Sequence, residues 1–269
     1  MNIADSVIVV TGAGSGIGAE LARRFAAAGA RHVTVADRDA RAATAVAEQI
    51  GERASAVAVD VTDEAAVAAL VAGVLDEHGR IDLFCSNAGV ALGVGLDGGN
   101  QPWQTAWDVH VMAHVYAARA VLPAMVAAGG GYLLNTASAA GLLSAPGDAP
   151  YSVSKHAAVA LAEWLAYQYR DRGIRVSVLC PMGVDTPLLM DGLQAGHAGA
   201  RAVAASGPVI SVAEVADAVL QALHEDAFLV LPHPEVGKFY ARKAADPQRW
   251  LAGMAELAAS AGTTGEPAN

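Results

Sequence analysis

Tyr151 and Lys155 stand four residues apart in PYSVSKHAAVALAEWL, so on a helix the phenol and the ammonium share one face. A phenol ionises near pH 10, and a cation beside it favours the phenolate. An ammonium about 5 Å away at an effective dielectric of about 20 contributes roughly 3 kcal/mol, which makes the pair a candidate proton acceptor for an alcohol. Ser138 lies upstream at the end of an apolar run, where a hydroxyl can hydrogen-bond a substrate oxygen as charge develops on it. Two imidazoles, His110 and His114, are also spaced by four, in DVHVMAH. That spacing suits a metal pair, two packed core residues or one catalytic position. Zinc is disfavoured because no third ligand is suggested nearby, and no metal is expected.

A second constellation lies at the start of the chain. VIVVTGAGSGIGAELARRF reads as strand, glycine loop and helix, an order that turns free helix N–H groups and a positive dipole end toward an anion. Gly12, Gly16 and Gly18 supply the turn, the close backbone approach and the tight helix contact that a pyrophosphate requires. Asp37 falls at the end of the next strand, nineteen residues after Gly18, where its carboxylate can accept from both ribose hydroxyls of an adenosine or cap the following helix. A carboxylate there favours NAD over NADP, since a 2′-phosphate would set like charges together. Arg38 has two readings: its guanidinium could stack on adenine or neutralise a phosphate.

The elements that must position these residues alternate along the chain. Apolar runs at 7–10, 32–36, 55–61, 81–86, 131–137, 174–180 and 228–231 read as strands, and segments at about 17–28, 40–50, 63–78, 101–128, 151–171 and 212–224 as helices, with Ser211 and Glu214 as a capping box on the last. The pattern predicts an α/β chain: a three-layer doubly wound Rossmann fold, its seven-stranded parallel sheet flanked by helices. One catalytic domain over 1–269 is expected. The glycine- and alanine-rich stretch at about 187–210 reads as a mobile substrate loop, and 261–269 as a disordered tail.

Composition narrows the class. The 269 residues are 54% hydrophobic with a formal net charge of −10, and without a basic cluster this speaks against nucleic acid or an anionic membrane as partner. No stretch reads as long enough and free enough of charge and glycine to cross a bilayer, and MNIADSVIVVTG has no basic leader region, so a cytoplasmic location is expected. Cys85 and Cys180 sit in strand-like runs and read as buried, reduced thiols.

Taken in order, these motifs resemble the short-chain dehydrogenase/reductase family over nearly the whole chain. TGAGSGIG (11–18) is similar to its TGxxxGxG loop, Asp60-Val61 to its adenine-contacting pair, and Asn87-Ala88-Gly89 to its strand-end motif. Ser138 with YSVSK (151–155) is similar to its catalytic serine and YxxxK motifs. PMGVDT (181–186) resembles its PGxVxT segment with Met182 in place of a glycine. The resemblance implies cofactor contacts from Ser15 and Ile17 beside the loop glycines, from Pro181, Gly183, Val184 and Thr186, and from Tyr151 and Lys155. It implies in particular that Thr186 holds the nicotinamide carboxamide and Lys155 the nicotinamide ribose. The family's fourth catalytic residue, an Asn that holds a relay water, aligns with His110. An imidazole there could hold a water and pass protons, or could only pack and bond to backbone.

The resulting expectation is an NAD-dependent oxidoreductase interconverting a secondary alcohol and a ketone. Tyr151 is its acid/base, and Leu188, Leu189, Met190 and Leu193 suggest an apolar small-molecule substrate. An NADPH-dependent carbonyl reductase and a catalytically impaired dinucleotide sensor are the alternatives. Apolar residues on several faces of two helices (Val115, Leu122, Leu161, Trp164 and Leu165), together with the family's habit, predict a homo-oligomer, a tetramer or dimer.

Overall fold

The computed structural model describes residues 1–262. Its strands are β1 (Val7–Thr11), β2 (His32–Asp37), β3 (Ala54–Ala58), β4 (Leu83–Ser86), β5 (Gly131–Thr136), β6 (Ile174–Leu179) and β7 (Leu229–Val230). They form one sheet in the order β3-β2-β1-β4-β5-β6-β7, with every pairing parallel. Alternation along each strand sorts side chains into two cores, Val7 and Val9 to one face and Ile8 and Val10 to the other.

The chain then supplies helices for both faces. They are α1 (Gly16–Ala27), α2 (Ala40–Ile50), α3 (Glu64–His78), α4 (Asn100–Trp107), α5 (Ala113–Ala127), α6 (Ala140–Leu143), α7 (Ala149–Gln168), α8 (Pro187–Gln194), α9 (Ala198–Ser206), α10 (Val212–Glu225), α11 (Glu235–Ala245) and α12 (Pro247–Ser260). Helices α3, α5 and α7 bury residues such as Leu70, Leu122 and Leu165 against one face. Helices α1, α2 and α10 bury Phe25, Val46 and Leu223 against the other. Local signals start them: Asp39 and Asp63 each accept two backbone N–H groups at the heads of α2 and α3, and Ser211 with Glu214 forms the capping box of α10.

Several expectations need correction. The helix foreseen over 101–128 runs without a break but widens into a π turn at Asp108–Met112, in which His110 and Val111 are buried. With its flanks, Asn100–Ala127, it is long and apolar enough by length and composition to cross a bilayer, contrary to expectation. Its apolarity has a local cause, because 56% of its most apolar window is buried in this fold. The stretch at 187–210, foreseen as loop, holds α8 and α9; Pro187 at the first turn of α8 has the fixed φ a helix start needs. Helices α11 and α12 were not foreseen. Of the apolar residues read as spread over several faces of these two helices, Leu122 and Leu165 lie in the core and Trp164 is exposed, as are Trp107, Val153 and Tyr167. The tail foreseen as disordered lies outside the described residues beyond Gly262; Ala261 closes α12.

Candidate active site

The chain leaves β1 toward β2 on one side while β4 pairs on the other, and at such a reversal a crevice opens beyond the carboxyl ends of the strands. A cleft of about 1890 Å³ lies there. The turn after β1 packs closely: Gly12 has φ +63, and a Cβ on it would lie 2.7 Å from the Ala88 Cα. A Cβ on Gly18 would collide with the Gly12 carbonyl oxygen, so Gly18 packs α1 against β1 and does not line the cleft. Ser15 stands at the N-cap of α1 without a side-chain bond to it, and Ser15, Gly16 and Ile17 face the cleft with the first-turn N–H groups. These bare donors, in a cradle that side chains would fill, suit a diphosphate.

Asp37 ends β2 with its Oδ2 accepting the Gly14 N–H at 2.9 Å and its Oδ1 accepting the Asp39 N–H at 2.9 Å. The cap of α2 is Asp39, which leaves Asp37 facing the cleft with Arg38. Asp60 and Val61 line the same end after β3. The Asp60 carboxyl is held below its ordinary range by hydrogen bonds from the Thr62 backbone and side chain. Beyond β4, Asn87 donates to the Thr11 carbonyl at 3.2 Å and accepts from Thr136 Oγ1 at 3.1 Å, tying three strand ends together beside Ala88 and Gly89.

The second half of the cleft carries the groups that could do chemistry. Ser138 follows β5; its Oγ accepts the Ala140 N–H at 3.1 Å and donates to the Pro181 carbonyl at 3.4 Å. Tyr151 and Lys155 lie on α7, with the ammonium 5.6 Å from the phenol ring centroid. Lys155 donates to the Thr136 carbonyl at 3.0 Å. Burial lowers its pKa to about 8, so it carries its charge at neutral pH. The Tyr151 phenol departs from the expectation of a lowered pKa. Burial pushes it up, the Asp148 charge adds to that, and a hydrogen bond with Ser138 pulls the other way.

His110 is buried and absent from the cleft wall. The Val90 N–H donates to its Nε2 at 3.0 Å, which leaves the proton on Nδ1 to be donated to Ser154 Oγ at 2.8 Å; Ser154 in turn donates to the Pro150 carbonyl at 2.7 Å. Burial, and then the Lys155 charge, hold the imidazole well below its ordinary pKa and so neutral. Its ring meets that of Tyr151 edge-on, 5.3 Å between centroids. His114 is buried with both ring nitrogens unpartnered, and its pKa is lowered by burial to about 3. Among the described residues no cluster of three metal-ligating side chains forms, and Cys85 and Cys180 are both buried free thiols.

The segment after β6, with Met182 in it, is braced from a distant part of the chain. His233, unnoticed in the sequence, accepts the Met182 N–H on Nδ1 at 3.2 Å and reaches the Gly183 and Pro208 carbonyls through Nε2, both at 3.2 Å. This places Pro181, Val184 and Thr186 on the cleft, while Gly183 turns away from it. Of the four residues expected to shape the substrate end, Leu188 and Leu189 line it and Met190 and Leu193 do not. Sequence reading also missed Trp250, Met254 and Leu257 on α12, which wall the far end, and the cleft-lining Asp148.

A doubly wound sheet with an anion cradle after β1 and a serine, phenol and ammonium after β5 defines a dinucleotide-dependent oxidoreductase. The family profile of short chain dehydrogenases matches residues 6–195, and the chain belongs to that family. It is 38% identical to a 1-deoxy-11-beta-hydroxypentalenate dehydrogenase of Streptomyces exfoliatus over 242 residues, 87% of this chain and 86% of that protein. A short chain dehydrogenase/reductase from Burkholderia phymatum solved with NAD superposes with a TM-score of 0.84 at 29% identity, covering 93% of this chain and 96% of that one. One from Burkholderia cenocepacia solved with NADP gives 0.80 at 26% identity over 94% and 99%. The protein is therefore an oxidoreductase that uses a nicotinamide cofactor on a small-molecule substrate.

Proposed function

We propose that the protein interconverts a secondary alcohol and a ketone with NAD, Tyr151 serving as acid/base. The observation that carries this reading is the shared wall: Ser138, Tyr151 and Lys155 line the same cleft as the glycine loop and Asp37. When bound, the oxidised cofactor supplies a hydride acceptor and a positive charge. The Ser138 hydroxyl donates to the substrate oxygen and steadies the charge there as the alcohol gives up its proton. The Tyr151 oxygen takes that proton, and the Lys155 ammonium offsets the negative charge on the phenolate form.

For the adenosine end, the Asp37 carboxylate supports NAD, because its free lone pairs accept from ribose hydroxyls and repel a 2′-phosphate. Arg38 on the same rim is the observation that favours NADP and an NADPH-dependent carbonyl reductase. Apolar bulk in the substrate is supported by Leu188, Trp250 and Met254. Two guanidiniums, Arg242 and Arg249, line the same cleft, and Asp246 beside them is engaged as the cap of α12. With a relative named for a hydroxylated carboxylate, pentalenate, this supports an apolar alcohol that also bears an anionic group. The exposed Trp107, Trp164 and Tyr167 support assembly with a second copy of the chain.

Titration calorimetry with NAD and NADP, followed by absorbance of reduced nicotinamide as secondary alcohols are added, tests the proposal. NAD-selective binding with turnover supports it. Selective NADP binding moves the reading to the reductase, and NAD binding without turnover across a broad panel moves it to the sensor.

A further inference from the structure

The start of the catalytic helix is organised by a carboxylate that neither the motifs nor the proposed chemistry use. Asp148 is buried at the N-cap of α7. Its Oδ1 accepts the Tyr151 N–H at 3.0 Å, while its Oδ2 accepts the Leu92 N–H at 2.9 Å and the Gly93 N–H at 2.7 Å. The Ala149 N–H adds a bond to the Val94 carbonyl at 3.0 Å, so residues 92–94 are fastened to the first turn of α7. Gly93 lines the cleft with φ +64, and a Cβ there would lie 3.1 Å from His197 Nδ1 at the head of α9. Among the described residues no ion pair includes Asp148; three N–H donors and the positive end of α7 hold its charge.

We propose that Asp148 is a positioning residue that locks the substrate-side loop at 92–94 onto the first turn of the catalytic helix and sets its carboxylate beside Tyr151. Serine or asparagine would serve as a helix cap. Neither offers two anionic oxygens to donors from separate segments, which is what this junction uses. The charge also acts on the phenol. The groups facing Tyr151 are Lys155 on the same helix, Ser138 after β5, neutral His110 from the π turn, and Cys180 after β6, a thiol pushed up to about 12 by burial. Burial is the main influence holding Tyr151 toward its protonated form, a hydrogen bond with Ser138 opposes it, and the Asp148 carboxylate adds to the effect of burial.

The inference rests on Tyr151 as acid/base, and the test separates the two. In Asp148→Asn one oxygen becomes an amide NH2 facing an N–H donor, so the cap or the loop clamp is lost along with the charge. With the alcohol turned over best by the native enzyme, the midpoint of the pH–rate profile for oxidation should move to lower pH. At its optimum kcat/KM should fall about ten- to hundredfold, as expected for one lost charge-assisted bond. Asp148→Ser, which keeps a cap, should move the midpoint the same way and provides a folded variant if the amide does not fold. A lowered melting temperature with an unmoved profile in both variants would reduce Asp148 to a plain helix cap and overturn the proposal. Tyr151→Phe is the control: if that variant keeps turnover, the acid/base reading fails and takes the inference with it. If it is inactive and the profiles do not move, only the inference fails.

Discussion

His110 Nε2 accepts the Val90 N–H at 3.0 Å, so the imidazole spans from the turn after β4 to the helix that carries Tyr151. Both nitrogens are occupied, and a neutral ring in this position acts as a strut. Replacing His110 with Ala should orphan the Val90 N–H, at about 1–3 kcal/mol, and lower the thermal midpoint accordingly, while the Ser154 hydroxyl keeps its bond to the Pro150 carbonyl. The pH–rate profile of His110→Asn should keep its midpoints while the melting temperature falls. A displaced profile would assign His110 a part in proton relay.

His114 gives a stability prediction with a defined sign. Its folded pKa of about 3 lies below the unfolded value of 6.5, so between those pH values the unfolded chain binds the extra proton. Its contribution to stability is therefore complete above about pH 6.5 and is lost as the pH falls toward 3. His114→Leu removes two unpartnered buried nitrogens along with the titration. Denaturant unfolding at several pH values should show the variant as stable as the native protein or more so at pH 7, with a shallower loss on acidification. An unchanged acid slope would contradict the assignment.

Asp37 is expected to decide the cofactor. Asp37→Ser frees the Gly14 N–H, which weakens either dinucleotide, so the informative quantity is the ratio of the two affinities. Calorimetry should show that ratio moving toward NADP by ten- to hundredfold, about 1.4–2.8 kcal/mol. An unchanged ratio would remove Asp37 from ribose recognition.

Arg242 and Arg249 predict a preference measurable on paired compounds. For an apolar hydroxy acid and its methyl ester, kcat/KM should favour the acid, and Arg242→Gln combined with Arg249→Gln should raise KM for the acid about tenfold while leaving the ester unaffected. Equal losses on both compounds would point to a general effect of α12.

The seven strands and the glycine-loop end of the cleft were legible because each depends on a local pattern: apolar runs bounded by glycine, and a loop whose small residues permit close packing. Tyr151 and Lys155 were legible for the same reason, a spacing on one helix. Asp148 was not, because its meaning lies in N–H donors more than fifty positions earlier in the chain, at Leu92 and Gly93. His233 is similar, acting fifty-one positions from Met182. The π turn at Asp108–Met112 has no composition of its own. Helix α12 was missed despite Asp246 and Pro247 at its start, because it has no fully buried residue and its apolar period is diluted by alanine and glycine; Trp250 seats it against Phe239 of α11.

The most direct test of the central claim is turnover by Tyr151→Phe. The substitution removes one oxygen from a half-buried ring on the cleft wall and leaves Asp37, the glycine loop and Lys155 in place. With NAD and the alcohol best used by the native enzyme, the account predicts at least a thousandfold loss of kcat, on the order expected for removal of a general acid/base, with NAD affinity changed less than threefold. Turnover within about tenfold of native would show that another group moves the proton and would contradict the role given to Tyr151.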